Sequence, residues 1–460
     1  MLININYIKN FLNKYKYLLL FGPIFFNFFY NFINSFSSIF KNFNLFNLIS
    51  TILFFLFLYF VGKNVKKSLN LDSYSLGICI FLLSFFLLEL FNILFSTNLK
   101  FEIVIYLNLI IWIILFFYKK NNYINIISTL ISFGLLRIFN NQFIEKFKIN
   151  QNIEVDVWYY IEFSKLISNK GYLYSLENNI FTGYSQFSSY FHSVLHFLNY
   201  QITEFEYFQN TTNVLFFLSL LLIFEASNDL KVRILSLFLY ISLTLNSEWL
   251  NFLMIDSLMS EGILNYLFAT LLFSIFNEKN KFLSFFFLGI LVFSKQFYIS
   301  LILVSIPIFF LKKSYRKYSI ILAFGYFLKT LLYMTSLKNL EQDHHIRQID
   351  IQDTFFDLLL FRDLRIENIL YIFKNLYKDK PLTLVLFLAF AIFLFNFKKN
   401  NFELNYYFFI ITTNIGLILL LYISVWRTME LESPIRFILN LYLLIFIFIS
   451  RILDSNKKLY

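Results

Sequence analysis

A chain of 460 residues has room for two or three water-soluble domains, but 58% hydrophobic residues, 15% charged residues and a mean hydropathy of +0.65 do not describe a soluble surface. The net charge of +11 would suit a nucleic-acid binder, yet the Lys and Arg residues fall in short clusters between apolar runs, as topology signals do, so nucleic acid is set aside. A single cysteine, Cys79, excludes intramolecular disulfides and cysteine metal clusters.

Apolar runs of about 17 to 23 residues recur along the chain, each long enough at about 1.5 Å per residue to cross a hydrocarbon core of about 30 Å. The expectation is an all-α integral membrane protein, a polytopic bundle of about 12 spans plus a broken helical hairpin, with two long extracytoplasmic loops. Lys9, Lys14 and Lys16 precede the first run, and with no small-residue cleavage pattern after it, that run reads as a retained helix. Five runs come first, at 18–35, 46–62, 74–96, 103–118 and 123–140. Between them Lys63, Lys66, Lys67, Lys119 and Lys120 join the N-terminal lysines on one side, against Lys41 and Lys100 on the other. The positive-inside rule then puts the N-terminus in the cytoplasm, as in a bacterial inner membrane, and brings the fifth helix out at about residue 141.

The interval 141–205 is the first outer loop. It holds Glu154-Val155-Asp156-Val157-Trp158-Tyr159-Tyr160 and then Gly171-Tyr172. A moderately apolar patch from Phe187 to Leu198, interrupted by His192 and His196, is too short and polar for a span and is expected to lie as a helix along the membrane surface. Runs at 206–226, 233–249 and 255–276 follow, Lys231 and Arg233 marking a return to the cytoplasm. Asp256 and Glu261 fall near the outer start of the last of these, either as boundary residues or as part of a site.

From Lys281 to Lys312 a long apolar stretch has basic clusters at both ends and Ser294-Lys295-Gln296 in the middle. Two short helices meeting at Lys295 keep both basic ends on one side, and such a tip is tolerated only where it lines a polar cavity. A run at 318–336 leads to the second outer loop, 337–380, with Glu341-Gln342-Asp343-His344-His345. Adjacent histidines point apart on regular elements, so a solvated loop stands beside a divalent-cation reading there. The last runs are 381–397, 404–425 and 435–452, the final one preceded by Arg427 and by Glu432-Ser433-Pro434-Ile435-Arg436-Phe437. No internal repeat is present.

Asp156, Asp256 with Glu261, Lys295, and Glu432 to Arg436 thus converge on the outer face. Acids opposite Lys and Arg suit a reaction in which a hydroxyl attacks and an anionic phosphate leaves. The carboxylate orients or deprotonates the hydroxyl, and the cations neutralise charge growing on the phosphate.

On these residues the chain resembles the GT-C class of membrane glycosyltransferases, whose donors are polyprenyl-phosphate-linked sugars. Asp156, Tyr159, Tyr160 and Gly171-Tyr172 resemble the acid and aromatic residues of the class's first outer loop. Gly289 to Lys295 looks like its Gly-rich helix with a Ser/Thr-Lys tip, and Glu432 to Phe437 like its late Arg-aromatic element. The resemblance covers roughly 125–452, giving a membrane domain at 123–452, preceded by N-terminal helices at 1–122 of open role and followed by a cytoplasmic tail at 453–460. It implies transfer of a sugar from a polyprenyl-phosphate donor to a lipid, glycan or protein acceptor, among membrane lipids. Asp156 would be the base or acceptor-orienting group, Lys295 and Arg436 the donor-phosphate ligands, Tyr159 and Tyr160 the substrate loop, and Asp256, Glu261 and Glu432 secondary acids. Val157 stands where the class commonly has a second acid, so Glu154 is a candidate to share the task. No cofactor follows, and a divalent metal stays open because metal use varies in the class. A polysaccharide polymerase or ligase, and a transporter or flippase, are the competing readings.

Overall fold

The structure, a computed structural model, describes residues 45–95, 97, 99–118, 123–143, 155–171, 187–200, 209–246, 260–279, 281–291, 305–337, 401–424 and 441–457, with isolated positions between 370 and 390. Among the described residues the chain is all-helical. The helices are α1 (Leu45–Leu69), α2 (Tyr74–Leu94), α3 (Phe101–Tyr118), α4 (Tyr123–Phe143), α5 (Val155–Lys170), α6 (Phe187–Tyr200), α7 (Gln209–Glu225), α8 (Leu230–Asn246), α9 (Ser260–Asn277), α10 (Phe282–Leu291), α11 (Arg316–Leu337), α12 (Phe402–Ser424) and α13 (Tyr442–Lys457). Residues 305–311 add a short helical segment before α11.

Four of these, α1 to α4, are long and apolar enough to cross a membrane by length and composition. Their bounds follow the apolar runs read from the sequence. The expected runs at 18–35 and 381–397 lie outside the described residues, apart from scattered positions in the second.

Helices α2, α6, α9 and α13 form the interior. In α9 every residue from Gly262 to Ile275 is buried, and in α13 every residue from Tyr442 to Ser450. On α3 and α4 one stripe faces outward instead, with Ile110, Ile114, Ile124, Ile131 and Ile138 exposed. An apolar stripe of that extent is disfavoured in water and suits contact with lipid tails.

Helices α1 and α2 cross with their backbones in contact at Gly62 and Gly77. A Cβ added at Gly62 would stand 2.7 Å from the Tyr74 carbonyl oxygen, and one at Gly77 would overlap the Gly62 carbonyl and stand 3.0 Å from the Gly62 Cα. Gly289 of α10 and Gly325 of α11 make a second such crossing, where a Cβ on Gly289 would meet the Leu322 carbonyl oxygen at 2.5 Å. Small residues let helices approach in this way when no hydrophobic force drives them together in lipid. Gly289, read from sequence as part of a motif, therefore has a packing role of its own.

The turns that carry charge meet at one end of the bundle. Glu225, the last residue of α7, completes the N-terminus of α2: its carboxylate accepts from Tyr74 N at 2.9 Å, Ser75 N at 3.2 Å and Ser73 Oγ at 2.7 Å. Ser73 Oγ in turn accepts from Leu76 N at 3.1 Å, so the first three amides of the helix all find acceptors. Beside it Asp72 N donates to Glu278 Oε2 at 2.8 Å, and burial raises the Glu278 carboxyl above its ordinary range against the pull of that bond. Asn228 N donates to Asp454, and Arg451 pairs with Glu403 at 3.2 Å. Lys281 Nζ donates to the Ile275 carbonyl and to Tyr315 Oη. These contacts bring the ends of α2, α7, α9, α10, α12 and α13 together.

Glu225→Ala would leave two buried or half-buried amides and a hydroxyl without their acceptor. It is expected to cost about 3 kcal/mol, read as a lower apparent Tm of the detergent-solubilised protein; a wild-type Tm would remove this account of the α2 cap.

Candidate functional site

The opposite end of the bundle holds α5 and α6. The stretch expected to open a loop is instead the helix α5. Its buried residues Ile161, Phe163, Ser164 and Ile167 recur at spacings of three and four, giving it one face to set against α6, while Glu162, Asn169 and Lys170 are exposed. The helix stops at Gly171, whose φ of 90° is left-handed and whose amide donates to the Ile167 carbonyl at 2.8 Å. That is the αL stop for which glycine is favoured. Gly171→Ala is expected to cost about 1–2 kcal/mol, visible as a lower Tm; an unchanged Tm would mean the stop tolerates a Cβ.

Helix α6 does not lie along a surface: every residue from Ser189 to Asn199 is buried. It packs against α5, α9, α4, α7 and α2. Polar groups from other helices meet its backbone and the side chains of Ser193 and Asn199. Ser164 Oγ of α5 donates to the Ser189 carbonyl at 3.1 Å, and Ser193 Oγ donates to the Ser164 carbonyl at 3.1 Å. From α4, Arg137 Nη2 donates to the Phe197 carbonyl at 2.5 Å, and Asn140 Nδ2 donates to the Asn199 carbonyl at 2.6 Å and to Asn199 Oδ1 at 2.8 Å. Ser50 Oγ of α1 donates to Asn140 Oδ1 at 2.7 Å. Arg137 and Asn140 thus cap the C-terminal turn of α6, where a cation is favoured. Rings complete the surround: Phe133 and Phe197 stand 5.0 and 5.5 Å from the guanidinium, and Tyr190 meets Phe86 and Phe101 edge-on.

His192 and His196, one turn apart on α6, are both buried. Among the described residues no three or more His, Cys, Asp and Glu side chains gather to hold a metal. Glu89 of α2 is fully buried near the same end, with Asn92 Nδ2 at 3.4 Å from Oε2 and, among the described residues, Oε1 without a partner. Asn92 closes the following turn, its Oδ1 accepting from Thr97 Oγ1 and Leu99 N.

Of the residues selected from sequence, Asp156 falls in the first turn of α5, with Tyr159 and Tyr160 in its second, and Glu261 is the second residue of α9. Both acid-bearing helices pack against α6. Glu154, Asp256, Lys295, Glu432 and Arg436 lie outside the described residues, as do Arg427, Glu341, Asp343, His344 and His345. Arg137 and Glu89 are not picked out by the motif spacing that selects Asp156. The signal for them was of another kind, a lone charge inside an apolar run.

Comparison with protein-family models, with curated proteins and with solved structures returns no match.

Proposed function

We propose that the chain is a membrane glycosyltransferase of GT-C type, moving a sugar from a polyprenyl-phosphate donor to a lipid, glycan or protein acceptor at the extracytoplasmic face. In this reading the whole chain forms about 12 spans with a broken hairpin, and both termini are cytoplasmic. The observation that carries it is the packing of α5, with Asp156 in its first turn, and of α9, with Glu261 near its start, against the polar buried helix α6. Two helices that carry acids thereby meet one polar helix inside an apolar bundle, which a lipid-linked donor can reach from the membrane.

The acceptor hydroxyl attacks the anomeric carbon while the bond from that carbon to the phosphate oxygen breaks. The polyprenyl phosphate leaves with the bonding electrons, and the hydroxyl proton passes to Asp156, with Glu154 sharing that duty. Direct attack inverts the sugar carbon. Lys295 and Arg436 take the charge that grows on the phosphate; Tyr159 and Tyr160 border the substrate, and Asp256, Glu261 and Glu432 are secondary acids. The roles of Lys295 and Arg436 rest on the charge pattern of the sequence and on the resemblance.

The test supplies labelled polyprenyl-phosphate sugars to the purified full chain in detergent or nanodiscs and follows label into the acceptor fraction. Transfer supports the reading. No transfer, together with movement of the intact lipid-linked sugar across a proteoliposome membrane, would replace it with a flippase.

A further inference from the structure

Among the described residues, three buried donor groups around the C-terminal turn of α6 find no acceptor: Nε and Nη1 of Arg137 and Nδ2 of Asn199. Arg137 is 8% exposed and Asn199 0%. Capping α6 uses only Nη2 of the guanidinium, and Asn199 Oδ1 is occupied by Asn140. Among the described residues the ion pairs are Lys165 with Glu162 and Arg451 with Glu403, so no carboxylate offsets Arg137. A buried cation with open N–H groups and no counter-ion is costly, and an anion that accepts those N–H groups removes the cost.

The level of the site says which anion. Asn140, Asn141 and Gln142 make the last turn of α4 polar, so that turn marks the membrane–water boundary. Arg137 lies about one turn, roughly 5 Å, inside it. Leu135 and Ile138, at the same depth on another face of α4, are exposed apolar residues, so lipid lies against the helix at this level. We propose that Arg137 and Asn199 form a binding site for a phosphate oxyanion, that of a phospholipid headgroup drawn against the end of α4. The site is separate from the transfer reaction and does not rest on it.

The test is native mass spectrometry of the purified full chain titrated with phosphatidylglycerol. Wild-type protein is expected to retain one phospholipid, and both Arg137→Met and Asn199→Asp to bind it about tenfold more weakly or worse. Asn199→Asp keeps the acceptor used by Asn140, removes the open donor and gives the guanidinium an internal carboxylate. It therefore answers the question even where Arg137→Met, having lost the α6 cap, does not fold. Displacement of the lipid by millimolar inorganic phosphate means that the phosphate group alone suffices; retention against phosphate means that the acyl chains contribute. A folded Asn199→Asp protein that binds phosphatidylglycerol as tightly as wild type overturns the proposal, as does wild-type protein that binds neither phosphatidylglycerol nor inorganic phosphate.

Discussion

Asp156→Asn is expected to reduce sugar transfer by about 10²–10⁴-fold, the range over which a positioned general base contributes. The substitution keeps the size of the side chain and removes its charge and its capacity to take a proton. Its structural cost is small, because a carboxylate in the first turn of a helix is worth only about 0.3–1 kcal/mol through the helix dipole. The two effects are separable: turnover falls by orders of magnitude while the Tm moves little. The remainder of α5 holds its place through the Gly171 stop and the bonds of Ser164 with Ser189 and Ser193, none of which involves Asp156. Wild-type turnover in Asp156→Asn would end the catalytic assignment, and a similar loss in Glu154→Gln would show that the two acids share it.

The long helices were legible because a span announces itself locally. Tyr74–Leu94 and Phe101–Tyr118 are predominantly apolar along their length, and charged or polar turns mark where each stops. α6 was not legible in the same way. With Ser189, His192, Ser193, His196 and Asn199 among its 14 residues it reads as an interfacial helix. What buries it comes from elsewhere: Ser164, Arg137 and Asn140 lie 25 to 60 residues away, and only the fold reveals that they meet it. α5 was hidden for a related reason, since acids and tyrosines at its start resemble a loop while its buried face, Ile161, Phe163, Ser164 and Ile167, is short. The glycines show the limit of motif reading. Gly171, read as part of the Gly171-Tyr172 motif, ends a helix, and Gly289 belongs to a helix crossing whose other half, Gly325, no local pattern connects to it.

That contrast leads to the strongest structural prediction, at the other glycine crossing. Gly77→Leu is expected to destabilise the fold by about 3 kcal/mol or more, because the new side chain must begin where the Gly62 backbone already stands. The clash is with backbone atoms, so no rotamer change relieves it; α1 and α2 must separate. Separation is costly on both flanks. On one side of the crossing, α1 is tied to α4 through Asn64 Nδ2, which donates to Thr129 Oγ1 at 2.8 Å and to the Asn125 carbonyl at 3.3 Å. On the other, the start of α2 is held by Glu225 and Glu278, so a shift of α2 strains that cap as well. Gly134 of α4 supplies the control, since a Cβ there has nothing within 4 Å. Gly134→Leu should leave the chain folded, while Gly77→Leu should lower its Tm sharply or drive it into aggregates on size-exclusion chromatography. Equal behaviour of the two variants would mean that α1 and α2 do not cross at these glycines.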